Sequence, residues 1–211
     1  MSYYVDGYME HLYKTNKAKF NIDEIQNEND LQKFSDGMYK DYIDCLGEMP
    51  ENLPLDAKIL SEKQCAGYKR LKIEYTVDEN LRAPAYILIP DNAKSKSPAV
   101  IALAGHGYGV ADIVGLTESG EEKSAENDPG YQKNFAVELV KRGFIVAAPE
   151  LFGFGELMLS PNDNDNHRRD GSSCFMLSTQ LFMYKKTLSV HYSIQLLHFP
   201  ALRCEYVADL I

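Results

Sequence analysis

The stretch PAVIALAGHGYG, residues 98–109, runs from an apolar segment into a loop in which Gly105, Gly107 and Gly109 flank His106 and Tyr108. Glycine admits backbone torsions closed to other residues and leaves no side chain between a backbone N–H and a ligand. A loop of this kind can turn two N–H groups on a developing oxyanion, and each such donor lowers an acyl-transfer barrier by about 3 kcal/mol. The same glycines also fit a plain tight turn. A phosphate cradle fails on spacing, because the sequence has no GxxxxGK[ST] and GHGYG does not fit GxGxxG.

Other chemistry-bearing residues are less persuasive. The run NDNDNHRRD, residues 162–170, suggests a calcium loop, but counting from Asp163 puts Arg168 where an EF-hand needs glycine and Cys174 where it needs glutamate. A solvated loop is the better reading, with Arg168 and Arg169 on its surface or turned to an anionic substrate. His191 and His198 share one helix face, but no third ligand accompanies them, so packing is preferred to a metal site. Cys45, Cys65, Cys174 and Cys204 form no CxxC pair, which points to a reducing, cytoplasmic setting and not to a disulfide scaffold or zinc site. No cofactor and no metal is called for.

The balance of 22 basic against 31 acidic side chains, net −9, repels phosphate backbones and argues against a nucleic-acid partner. No apolar run approaches the ~20 residues of a membrane span, and MSYYVDGYMEHLYK does not read as a signal peptide.

Residues 2–20 read as partly helical, and Leu31, Phe34, Met38, Ile43 and Leu46 recur at the spacing of an amphipathic helix over 30–46. Pro50 and Pro54 break it, so 1–55 reads as a helical extension or cap and 56–211 as the main domain. There Leu71, Ile73, Tyr75 and Val77 alternate with Arg70, Lys72, Glu74 and Thr76, a strand with one buried face. APAYILIP pairs with it as a hairpin. PAVIALAG and FIVAAPE are apolar on both faces, as in a covered parallel sheet. Between them YQKNFAVELVKRG gives a helix stopped at Gly143, and the three make a right-handed βαβ unit. CFMLSTQLFMYKKTLSVHYSIQLLHF reads as one long helix ended by Pro200, with Ser172 as its N-cap.

This order of hairpin, PAVIALAGHGYG, helix, strand IVAAPE and loop LFGFGE resembles the first half of an α/β-hydrolase, in the dienelactone-hydrolase and acetyl-xylan-esterase-like branch. Gly143, Phe144, Val146, Ala148, Pro149, Glu150, Gly153 and Gly155 follow that branch's second motif, and the resemblance spans about residues 66–199. It implies an α/β fold holding the N-terminal hairpin plus parallel strands with crossover helices, and a serine ester hydrolase acting through an acyl-enzyme on a small-molecule ester. It implies that the Tyr108 N–H is an oxyanion donor. His106, Gly107, Gly109 and Glu150 would then line the substrate pocket. Glu150 has a second reading, as a carboxylate that orients its loop by accepting from backbone N–H groups of LFGFG. His106 does not qualify as the triad histidine, which comes last in the chain order of this fold.

The family's nucleophile sits in G-x-S-x-G on a strand-to-helix turn. No serine here has that setting, and GSSCF at 171–175, the nearest, lacks the closing glycine. The segments SVHYSIQLLHFP and ALRCEYVADLI also depart from the family, so a break near residue 199, before the nucleophile strand, is expected, with the triad absent and the chain inactive by itself. An unpaired sheet edge there would favour association, a homo-oligomer included. A non-catalytic binding or assembly module on the same half-fold is the alternative. A nucleotide-binding protein is the third reading, and the missing phosphate loops weigh against it.

Overall fold

The structure is a computed structural model and describes residues 5–16, 19–48, 51, 53–94, 97–124, 132–159 and 172–187, the side chains of 172–175 excepted. The chain divides into two compact units, Met1–Gly47 and Glu48–Ile211.

The first unit holds α1 (Val5–Thr15) and α2 (Glu28–Leu46). The Asn27 side chain caps α2 by accepting from the Asn29 and Asp30 N–H groups, and Gly47 ends it at φ 79°. Phe20 meets Phe34 edge-on at 6.0 Å between ring centres and lies over Gly37, where a Cβ would overlap it. No residue of either helix is buried.

The second unit is a five-stranded mixed sheet of β1 (Lys58–Cys65), β2 (Tyr68–Asp78), β3 (Leu81–Pro90), β4 (Ala99–Ile101) and β5 (Ile145–Pro149), in the order β1-β2-β3-β5-β4. β2 and β3 form the expected antiparallel hairpin. β4 and β5 are parallel, joined through α3 (Val110–Ile113) and α4 (Phe135–Lys141). The period of two divides the core between the sheet faces. Leu71, Ile73, Tyr75, Val77, Ile87 and Ile145 pack on one face. Tyr86, Leu88, Val146 and Ala148 pack on the other, against Val110, Ile113, Ala136 and Val140 of α3 and α4. Gly143 stops α4 at φ 91°, its N–H donating to Val140 O at 2.9 Å.

Four expectations are corrected. Arg70, assigned by alternation to the polar face of its strand, is only 5% exposed. Its guanidinium donates to Val114 O at 3.0 Å and pairs with Glu122, so the charge is accommodated beneath a loop. β4, expected to be covered on both faces, is half-buried at all three positions and is followed by Leu103 at 49% exposure. It is an edge strand, with β5 as its one neighbour among the described residues. The long terminal helix stops early: α5 runs Ser172–Met183. Lys185 adopts φ 56°, the Lys185 N–H donates to Phe182 O and the Lys186 N–H to Leu181 O, the paired closing bonds of a Schellman motif without glycine. The loop after Gly105 is not wholly irregular, since it contains α3. Pro200, His191, His198, Cys204, Arg168 and Arg169 lie outside the described residues. Among the described residues, no helix is long and apolar enough to cross a membrane.

Candidate active site

The glycine loop leaves β4 at the end where β5 delivers Glu150, because parallel strands bring their carboxyl ends to the same edge. Gly105, His106 and Gly107 are exposed, Tyr108 is half-buried, and Gly109 and Val110 are buried. The chain thus dives inward over a few residues. Gly107 at φ 136° and Gly109 at φ 83° make the turn possible.

Glu150 is what the loop closes on. Its side chain is 5% exposed, and its Oε1 accepts from the Val110 N–H at 3.0 Å. The Leu151 and Glu156 N–H groups also stabilise the carboxylate. Two glycines make room for it: a Cβ at Gly109 would overlap Oε1, and a Cβ at Gly155 would overlap Oε2. Sequence reasoning left Glu150 between pocket lining and loop orientation. The geometry gives it the second task, extended to the His106–Val110 loop as well as to LFGFG, and it also borders a cavity. That cavity, about 320 Å³, is lined in part by Lys72, Tyr86, Tyr108, Glu118, Glu150 and Glu156. Lys72 is paired with Glu156 at 2.8 Å.

Burial pushes the Glu150 carboxyl up to about 7, against the pull of the Val110, Glu156 and Leu151 N–H groups, and the Glu156 charge adds to the rise. Lys72 and Tyr75 from β2 and Tyr86 from β3 also feel its charge. Its ordinary value is 4.5, so between pH 4.5 and about 7 the folded chain holds a proton that the unfolded chain has released. Stability therefore falls as pH rises through that window and levels off above it, a change on the order of 3 kcal/mol for a shift of this size. Urea unfolding at pH 5 and pH 8 should show this loss in the native chain and little of it in Glu150→Gln. Equal pH slopes in the two proteins would remove Glu150 as the cause.

The other loop residues are placed as follows. The His106 ring meets Phe154 of LFGFG edge-on at 5.3 Å. The Gly105 N–H donates to Gln132 Oε1 at 2.7 Å. The Tyr108 hydroxyl donates to Asp112 Oδ1 and Leu116 O, each at 3.3 Å. Burial pushes its phenol up, with Lys123 pulling the other way. Among the described residues, none accepts from the Tyr108 N–H. The Gly107 and Gly109 N–H groups likewise have no acceptor among the described residues, so the open donors form a run, Gly107 to Gly109, bounded by the engaged Gly105 and Val110 donors.

The fold has known counterparts. The model of the Abhydrolase family matches residues 2–184. The chain belongs to that family. Its fold is that of a partial α/β-hydrolase, and among solved structures this abhydrolase superposes on a "putative acetyl xylan esterase" from Bacteroides fragilis NCTC 9343 with a TM-score of 0.69 at 17% identity. The match covers 94% of this chain and 50% of that one, so the abhydrolase chain spans about half the length of its structural relative. Acetyl xylan esterase 1 from Thermoanaerobacterium sp. JW/SL YS485 is a more distant match, with a TM-score of 0.34 at 15% identity over 72% of this chain and 51% of that one. No curated protein matches the chain.

Proposed function

We propose that the chain supplies the oxyanion side of a serine carboxylic-ester hydrolase acting on small-molecule esters. The observation that carries this reading is the run of N–H groups at Gly107, Tyr108 and Gly109, Tyr108 at its centre, which lack an acceptor among the described residues while the Gly105 and Val110 donors that bound the run are engaged. An N–H held in this way needs no reorganisation when a carbonyl oxygen gains charge, and that is the basis of its effect on rate. Glu150, His106, Gly107 and Gly109 then shape the wall of the substrate pocket.

The acyl-enzyme step needs a nucleophile, and the sequence has no G-x-S-x-G. The 211 residues by themselves should therefore show no ester turnover that a serine-directed reagent abolishes. We place the protein in the cytoplasm, consistent with free thiols at Cys45 and Cys65. We treat Met1–Gly47 as a helical accessory unit to the hydrolase domain.

The missing nucleophile also favours a second reading, a non-catalytic binding or assembly module, with self-association through the β4 edge. Native purification from the cells that make the protein separates the two. The esterase reading expects serine-reagent-sensitive hydrolysis of p-nitrophenyl acetate, carried by material in which these residues are joined to or associated with a nucleophile-bearing segment. A stable, monodisperse product with the mass of this chain alone and no such turnover would contradict it and leave the binding module.

A further inference from the structure

Glu150 fastens the glycine loop at Val110, and a different set of side chains fastens it at Gly105. Gln132 Oε1 accepts from the Gly105 N–H at 2.7 Å, and Gln132 Nε2 donates to His106 O at 3.5 Å and to Asp112 Oδ2 at 3.4 Å. The first bond is short and the other two sit at the outer limit of hydrogen bonding, so the amide's grip is firmest on Gly105.

Asp112 is the fixed point behind that amide. It is 1% exposed and pairs with the 3% exposed Lys123 at 2.5 Å. Lys123 Nζ also donates to Asp112 O and to Asn134 Oδ1, each at 2.9 Å, and stands 5.5 Å from the centre of the Tyr108 ring. Asp112 in turn accepts from the Tyr108 hydroxyl. Gly105, His106 and Tyr108 are thus all connected to one buried ion pair, the first two through Gln132 and the third through its own phenol.

The backbone beside Gln132 is unusual as well. Lys133 and Asn134 both adopt φ 54°. Left-handed backbone outside glycine costs on the order of 1–2 kcal/mol per residue and persists where the surroundings over-determine it. Asn134 gives α4 no side-chain cap and directs its amide oxygen to Lys123 instead. A local helix-capping bond has been given up for a contact within this network.

We propose that Gln132 is a positioning residue for the glycine loop: oriented by the buried Asp112–Lys123 pair, its amide fixes Gly105 and His106 and so sets the direction of the Tyr108 N–H. The purpose of that direction rests on the oxyanion reading, but the mechanical coupling is independent of it.

Nitrogen-15 relaxation of the full chain, compared with Gln132→Ala and Gln132→Glu, tests the coupling. In the native chain the amides of residues 105–108 should have order parameters near those of rigid backbone, about 0.85. In Gln132→Ala they should fall below about 0.6 while the β5 amides of Val146 and Ala147 keep their values. Gln132→Glu retains an acceptor for the Gly105 N–H but turns a carboxylate oxygen toward His106 O and Asp112. Gly105 should therefore stay ordered while His106 and Tyr108 loosen. Unchanged loop order in Gln132→Ala would overturn the proposal. So would an equal loss in β5, which would reduce Gln132 to a general contributor to stability. No ester is turned over in this experiment, so failure here leaves the hydrolase reading standing, and failure of that reading leaves the measured coupling intact.

Discussion

Replacing Asp112 by alanine should remove about 3–5 kcal/mol of folding free energy, the usual cost of breaking a buried ion pair by removing one of its members. Asp112 and Lys123 are 1% and 3% exposed, so water does not replace the lost carboxylate. Lys123 also donates to Asp112 O and Asn134 Oδ1 and lies over the Tyr108 ring. The total stability of a domain of this size is about 5–15 kcal/mol, so the variant should be close to unfolding at 37 °C. The double variant Asp112→Ala with Lys123→Met should recover most of the loss, because a packed apolar pair carries no buried charge to desolvate. Urea midpoints of the three proteins read this out. A single variant within 1 kcal/mol of the native chain would mean that the pair is solvated and carries little.

Gly109→Ala should be comparably severe, for two separable reasons. The residue sits at φ 83°, ψ −153°, a region that is essentially glycine's alone, and occupying it with alanine costs about 1–3 kcal/mol. The new Cβ would also overlap the Glu150 carboxylate, and overpacking of this kind adds about 1–3 kcal/mol. Gly155→Ala meets the same carboxylate more closely still and lies at φ 47°, where left-handed backbone costs alanine about 1–2 kcal/mol in addition to the overlap. Both variants should therefore be clearly destabilised in denaturant. A Gly109→Ala chain as stable as the native one would mean that Glu150 does not occupy the space between the two loops.

Much of the frame was legible because it is written in local pattern. The alternation of Leu71, Ile73, Tyr75 and Val77 against APAYILIP specified the hairpin, and the apolar runs around YQKNFAVELVKRG specified the βαβ unit. The glycines at 107 and 109 marked a loop that needed unusual torsions, and it has them.

What escaped notice depends on partners far along the chain or on geometry that composition does not encode. β1 was missed because its sequence, KILSEKQC, buries nothing: it is an edge strand with Ile59 and Leu60 half exposed, so no hydrophobic period marks it. Arg70 looked like an outward-facing residue because its partners, Glu122 and the Val114 carbonyl, come from a loop more than forty residues on. The network of Asp112, Lys123, Gln132 and Asn134 has no motif, since its members meet only after α3 and α4 have packed on the sheet. The one available hint was the polar composition of the segment between β4 and β5. The end of α5 was misjudged because Lys185 performs a turn for which the sequence signal is normally glycine.

The backbone N–H of Tyr108 can be removed without touching its side chain, by an amide-to-ester substitution at that residue in the serine-reagent-sensitive material that the proposed function expects. Hydrolysis of p-nitrophenyl acetate should then lose about 10²–10³ in kcat with little change in KM, because the donor acts on charge that develops only in the transition state. A kcat within about threefold of the native value would contradict the oxyanion role and leave the loop as a turn.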